Sequence, residues 1–271
     1  MPQLDVNGAV LHYETAGHIS DPAVLLIHAG VANLRMWDGL VPMLDRDHFV
    51  IRYDTRGFGN TSTRNVDFSD REDARDLLDH LGIARATVVG CSRGGGIAID
   101  LALESPDRVA GLATVGSGPS GFPDLEPSAR EHEILDAMDR AFAAEDWAAL
   151  NELEVRLWSI GPTRDQTRLD PEFVDLAYSL NRTNLARVGE RPRPEHLDPP
   201  AFDRLLDLRM PALVTVGESD VTEQLAAFEF LAATIPGVTS ARFADAAHLP
   251  SVESPEAFNR VLGGWLALHG L

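Results

Sequence analysis

Ala86-Thr87-Val88-Val89-Gly90-Cys91-Ser92-Arg93-Gly94-Gly95-Gly96-Ile97-Ala98-Ile99-Asp100 is the stretch that decides the fold. Its first five residues, ATVVG, form a short apolar run rich in β-branched residues, the pattern of a strand buried on both faces. Its last part, continuing IAIDLALES to Ser105, has helical spacing. Between them stands Gly90-x-Ser92-x-Gly94. A strand that turns sharply into a helix holds the serine in a strained backbone with its oxygen exposed. Glycines on either side let the chain fold back on itself. The five-residue pattern is common by itself, and the strand before it and helix after it make it specific.

Working outward, apolar runs of the same kind recur at 23–28 (AVLLIH), 48–53 (HFVIRY), 109–115 (VAGLATV) and 212–217 (ALVTVG). A strand at 9–15 (AVLHYET) follows the Asn7-Gly8 turn, and a short one lies near 240–243. Helical spacing covers 69–81, 93–105, 222–235 and 255–268. Ser69 heads a capping-box pattern with Glu72, and Pro255 takes a first helical position. Strands alternating with helices predict an α/β fold with a parallel sheet covered on both faces. The rhythm breaks between 118 and 203, a stretch rich in helix formers that contains Trp147 and Trp158 and ends among prolines 192–200. Residues 1–117 and 204–271 are expected to form the core domain, and 118–203 an inserted helical cap.

A serine hydroxyl needs a base, and the base needs an orienting acid. Both are expected on loops past the ends of later strands. Asp220 follows the strand ALVTVG, and His248 lies in Asp245-Ala246-Ala247-His248-Leu249-Pro250 before the last helix. Glu218 is the rival acid, and Asp245 reads as a loop residue. His28-Ala29-Gly30-Val31 follows the strand AVLLIH and offers a backbone N–H. With the N–H of Arg93, it would hold an oxyanion. Gly30 is the chosen donor, with Val31 and Ala29 as alternatives, and His28 is expected to be structural. Val31, Trp37, Trp158 and Leu249 are the candidate substrate contacts. Asp54-Thr55-Arg56-Gly57-Phe58-Gly59 reads as a structural loop. Gly116-Ser117-Gly118-Pro119-Ser120-Gly121 imitates a dinucleotide motif, but the prolines at 119 and 123 deny it the helix such a site requires.

Composition narrows the chemistry further. The 271 residues carry 42 acidic and 23 basic side chains, a net charge of −19. Every basic residue is arginine. With no lysine, neither a Schiff base nor a phosphate loop ending in Gly-Lys-Ser/Thr is available. The acidic balance argues against nucleic acid as a partner. The lone Cys91 forbids an internal disulfide. The sequence start carries no signal-peptide pattern and no segment reaches membrane-spanning length, so a cytoplasmic protein, monomeric or homo-oligomeric, is expected. Glu131-His132-Glu133 has no second histidine one turn on, so no metal site is expected.

The set His28-Ala29-Gly30 with Trp37, Asp54-x-Arg56-Gly57-x-Gly59, Gly90-x-Ser92-x-Gly94-Gly95, Gly217-x-x-Asp220 and Ala247-His248-Leu249-Pro250 resembles the α/β-hydrolase superfamily over nearly the whole chain. The tail from Ala247 to Phe258 is most similar to its enol-lactonase, esterase and cofactor-free haloperoxidase-like branch. The resemblance implies an eight-stranded, mostly parallel sheet with a cap inserted after the sixth strand. It implies Ser92, His248 and Asp220 as a catalytic triad that hydrolyses an ester or lactone of a small molecule without a cofactor. Carbon–carbon hydrolysis, a perhydrolase-like activity and non-catalytic ligand binding are the other readings of the same residues. This chain departs from the pattern at Ala29, where glycine usually follows the histidine, and at Arg93, which puts a charge beside the nucleophile. Arg93 is expected to pair with a carboxylate, the alternative being a bias toward anionic substrates. Arg182, Arg187, Arg191 and Arg193 form a local cluster that could clamp a carboxylate or be solvated or paired.

Overall fold

A computed structural model describes residues 2–271. Eight strands make the main sheet: β1 (Gln3–Val6), β2 (Ala9–Ala16), β3 (Ala23–Ile27), β4 (Phe49–Tyr53), β5 (Ala86–Cys91), β6 (Val109–Val115), β7 (Ala212–Gly217) and β8 (Thr239–Phe243). Their order is β1-β2-β4-β3-β5-β6-β7-β8. The β1–β2 and β2–β4 pairs are antiparallel and the others parallel. Ser62–Thr63 adds a short antiparallel rung on β2. The hairpin turn at Asn7-Gly8 is where the sequence places it. β1 is the strand the sequence hides, because QLDV is brief, half-exposed and carries only two apolar residues.

Every residue of β3, β4 and β5 is buried, as continuous apolar runs require in a sheet covered on both sides. One apolar layer joins Leu25, Ile51, Val88 and Val214 to the helices α1 (Asp70–His80) and α2 (Arg93–Glu104). The other joins Val24, Leu26, Val89 and Leu213 to α7 (Pro255–His269) through Phe258, Leu262 and Trp265. Adjacent residues on one strand thus serve opposite layers, the period-two alternation of a sheet. Because the central strands are parallel, the loops after β3, β5, β6, β7 and β8 emerge at one edge of the sheet.

Residues between β6 and β7 form α3 (Ala129–Ala143), α4 (Trp147–Glu154), a π-turn over Val155–Ile160 and α5 (Pro171–Arg182). The helix formers of this stretch therefore make several helices and not one. Glu145 stands at φ 55° between α3 and α4, and the π-turn follows α4 directly. The insertion is also not purely helical, since Arg193–Pro194 pairs in parallel with Asp67–Phe68. The last helix before β8, α6, spans Thr222–Thr234.

Glu131 joins the insertion to the core. It is the third residue of α3 and takes part in a full capping box with Ser128. Its carboxylate accepts the Ser128 N–H at 2.6 Å, and also the Thr222 N–H at 2.6 Å and hydroxyl at 2.7 Å at the start of α6. One side chain, 4% exposed, caps two helices. Burial raises its pKa, but the hydrogen bonds from Thr222 and Ser128 outweigh burial, and the net shift is downward. A lowered folded-state pKa gives stability that is complete above the ordinary carboxyl range and disappears as pH falls through the folded value. Glu131→Gln should cost about 1–2 kcal/mol in urea unfolding at pH 7, and the gap from wild type should narrow as the pH falls below the ordinary carboxyl range.

Candidate active site

At the end of β5 the chain turns into α2 through Ser92, whose backbone sits at φ 53° and ψ −122°. Few residues other than glycine adopt positive φ, and such a conformation costs about 1–3 kcal/mol. The close packing around it leaves no room for side chains. A Cβ on Gly90 would lie 2.2 Å from the Gly94 carbonyl oxygen, and one on Gly94 would lie 2.3 Å from that of Ile27. The Ser92 N–H is held by the Val115 carbonyl at 2.8 Å.

The loops after β7 and β8 bring Asp220 and His248 together. The Nδ1–H of His248 lies 3.0 and 2.9 Å from the two Asp220 oxygens, and one of those oxygens also accepts the Val221 N–H at 2.8 Å. Both side chains are essentially buried. The imidazole spends its protein hydrogen bonds on Nδ1, so the neutral ring carries its proton there and presents Nε2 as an acceptor. Among the described residues neither Nε2 nor the Ser92 hydroxyl has a hydrogen-bond partner. Such bonds commonly tighten only around substrate. Asp220, not Glu218, meets the histidine; Glu218 points to solvent, as does the loop residue Asp245.

The glycine run after β6 belongs to this site. Gly116 has φ 51°, and a Cβ there would stand 2.7 Å from Asp220 Oδ2 and 3.0 Å from His248 Nδ1. The motif that imitates a dinucleotide site is instead the gap into which the Asp–His pair fits. No residue pattern announces this, because the approach is made by loops about 100 and 130 positions further along the chain.

The His248 loop is anchored from the insertion. Glu253 accepts the Ala247 N–H at 3.0 Å and pairs with Arg164, which donates in turn to the Asp245 carbonyl at 3.2 Å. Trp158 comes from the π-turn to lie 4.9 Å from the His248 ring, and its carbonyl accepts the His248 N–H at 3.4 Å. Of the four candidate substrate contacts, Trp158 is beside the histidine. Trp37 and Leu249 are elsewhere: both are fully buried in the layer under α7, Trp37 tilted against Phe258 at 6.4 Å. Their apolar surface is consumed by the core. Val31 belongs to the same cluster with only 8% of its surface exposed.

The loop after β3 supplies N–H groups. The Ala29 N–H is donated to the Met36 sulfur at 3.3 Å, which removes it from the candidate donors. Those of Gly30 and Val31 have no protein acceptor among the described residues, and the space around the Gly30 Cα is open. The N–H of Arg93 starts α2, where helix geometry leaves it free. His28 is structural, as the sequence suggests. Burial lowers its pKa, so the ring is neutral. Its Nε2 accepts the Thr55 N–H at 3.0 Å, which puts the proton on Nδ1, 2.8 Å from the Ala29 carbonyl. Arg93 donates to the Thr55 hydroxyl at 2.7 Å and to both oxygens of Asp70 at 2.7 and 2.9 Å. Its charge is paired and unavailable to an anionic substrate. Asp54 accepts the N–H groups of Leu34 and Asn60, both at 2.8 Å, and Arg56 forks onto Asp73 at 2.6 and 2.7 Å. This loop is structural.

The family described as the alpha/beta hydrolase fold matches residues 22–255. The chain is 27% identical to 3-oxoadipate enol-lactonase 2 of Acinetobacter baylyi over 282 residues, covering 96% of this chain and 94% of that one. It is 28% identical to a putative carbamate hydrolase RutD of Caulobacter vibrioides, covering 94% and 95%. Among solved structures, a hydrolase from Pseudomonas aeruginosa PA01 superposes with a TM-score of 0.78 at 27% identity, covering 98% and 97%. The enol-lactonase from Burkholderia xenovorans LB400 does so at 0.78 and 25%, covering 98% and 100%. No helix among the described residues is long and apolar enough to cross a membrane. Sheet order, the turn at Ser92 and the match over most of its length place this chain in the alpha/beta hydrolase family.

Proposed function

We propose that the protein hydrolyses an ester or lactone of a small organic molecule through an acyl-enzyme on Ser92. The observation that carries this reading is the buried Asp220 carboxylate on His248 Nδ1, at the sheet edge where the strained Ser92 turn emerges. Ser92 Oγ attacks the carbonyl carbon as His248 Nε2 takes its proton. Asp220 stays ionised, fixes the tautomer and stabilises the imidazolium. The carbonyl oxygen, becoming an oxyanion, is held by the N–H groups of Gly30 and Arg93; each such donor is worth about 3 kcal/mol in the transition state. The imidazolium returns its proton to the leaving oxygen, and water, deprotonated by the same histidine, releases the acid. Residues 118–203 act as the cap that bounds the substrate. The relatives named as enol-lactonases support the ester or lactone class. An intracellular site of action belongs to the same reading, since the buried Cys91 is the chain's only cysteine and needs no oxidising compartment.

A fluorophosphonate probe followed by mass spectrometry should place the label on Ser92. Ser92→Ala should remove both labelling and turnover of activated esters and lactones while the protein unfolds at the same urea concentration. Folded protein that resists the probe would favour a ligand-binding role. Labelled protein that cleaves no ester or lactone of varied acyl length would move the substrate to another acyl class. Asp220→Asn should lower kcat about 10⁴-fold, because the amide favours the wrong tautomer. Gly116→Ala pushes a methyl into the Asp220–His248 contact; kcat should drop at least ~10²-fold, and an unchanged kcat would refute the crowding argument.

A further inference from the structure

A cleft of about 470 Å³ runs from Gly30 and Phe58 to the inserted segment. Three arginines line it, and two of them are paired with carboxylates. Arg56 is forked onto Asp73, and Arg187 pairs with Glu190 at 3.0 Å and with the Gly59 carbonyl at 3.2 Å. Arg191 donates to the carbonyls of Val188 and Glu190. Of the other arginines in the sequence cluster, Arg193 pairs with Asp67, and Arg182 borders a separate hollow beside Trp147 and Tyr178. Arg56 and Arg187 are spent on carboxylates of the fold, while Arg191, exposed and held only by carbonyls, has no carboxylate partner among the described residues.

Glu154, the last residue of α4, is in the opposite condition. Its Oε2 accepts the Asn181 amide at 2.7 Å, and its Oε1 accepts nothing from the protein. Burial raises its pKa against the Asn181 hydrogen bond. A carboxylate stripped of part of its water gains more from a cation than an exposed one does. Its position is fixed with respect to the oxyanion loop. Asn181 is 2% exposed, and its helix is pinned through Asn33 Nδ2 to the Leu180 carbonyl at 3.0 Å and through Asn184 Nδ2 to the Ala32 carbonyl at 2.9 Å. The rings of Phe58 and Phe142 border the same space. Independently, residues 118–203 carry 18 acidic side chains and 9 arginines, a net of 9 − 18 = −9. That charge gives the segment a long-range attraction for cations, while the cleft lining itself is balanced, with Arg56, Arg187 and Arg191 against Asp139, Glu154 and Glu190.

We propose that the cleft takes esters or lactones bearing an ammonium group, and that Glu154 receives that group. The proposal rests on the hydrolase reading above and adds the substrate class to it. Ionised Glu154 supplies the counter-charge, and the Asn181 amide keeps the carboxylate aimed.

The test uses the intact protein and esters that differ only in charge. On the alcohol side these are choline butyrate and its neutral dimethylbutyl isostere. On the acyl side they are p-nitrophenyl esters whose chain ends in trimethylammonium, tert-butyl or carboxylate. Acid release is followed at low ionic strength. In at least one series kcat/KM should be about tenfold higher for the cation than for its neutral isostere, with the carboxylate ester slowest. Glu154→Gln should bring the cation-to-neutral ratio close to one, chiefly through KM. Glu172→Gln makes the same charge change at the far end of α5 and should leave the ratio as it is. Equal rates for charged and neutral esters, preference for the carboxylate, or a ratio that survives Glu154→Gln would overturn the proposal while leaving the hydrolase reading intact. If none of the esters is cleaved, both fail.

Discussion

The backbone at Ser92 is held where an L-residue resists going, and the rest of the site is arranged around that strain. A φ of 53° at a serine persists only if its surroundings over-determine it. Here β5 is paired on both sides, by β3 and by β6, and the Ser92 N–H is tied to β6. Gly90 and Gly94 then let the strand end and the helix start approach until backbone touches backbone. A turn in the middle of a parallel sheet also fixes where its partners must be. Every neighbouring strand ends at the same edge, so His248, Asp220 and the Gly30 N–H arrive on separate loops at one place.

Around the turn lies a layer of buried and half-buried polar groups, each with a job for the next. Asp70 holds Arg93, Arg93 holds Thr55, Thr55 fixes the His28 tautomer, and His28 holds the Ala29 carbonyl that precedes the free Gly30 N–H. A similar chain from Arg164 through Glu253 to Ala247 supports the other side of the site. Satisfied networks of this kind are stiff in a medium of low dielectric constant. The absence of lysine gains meaning here. A guanidinium can reach several acceptors in a plane at once, and Arg52, Arg56, Arg93 and Arg164 each bridge a carboxylate and another group within the fold.

Much of this was legible from residues alone, for identifiable reasons. The buried strands announce themselves because both faces are apolar, and the Ser92 turn because strand, glycines and helix are contiguous. Asp220 and His248 could be named because each follows a strand end. The misreadings share another cause. Trp37 and Leu249 lie close in sequence to site residues, yet a side chain one or a few positions away can point into the opposite layer. β1 carries too little apolar surface to stand out. Gly116, Thr55, Glu253 and Glu131 act through partners far along the chain, and nothing local marks them.

The sequence by itself determined the layered α/β architecture, the strand–turn–helix at Ser92 and the order in which Ser92, Asp220 and His248 appear, since those depend on local periodicity and on loops that follow strands. Tertiary structure alone decided which charges are spent and which remain. It paired Arg187 with Glu190 and Arg193 with Asp67, and left Glu154 with an open oxygen in the cleft. It set Asp220, and not Glu218, against His248. The physical reason is that pairing and desolvation depend on distances between loops separated by tens to more than a hundred residues, and those distances exist only once the sheet has brought the loops together.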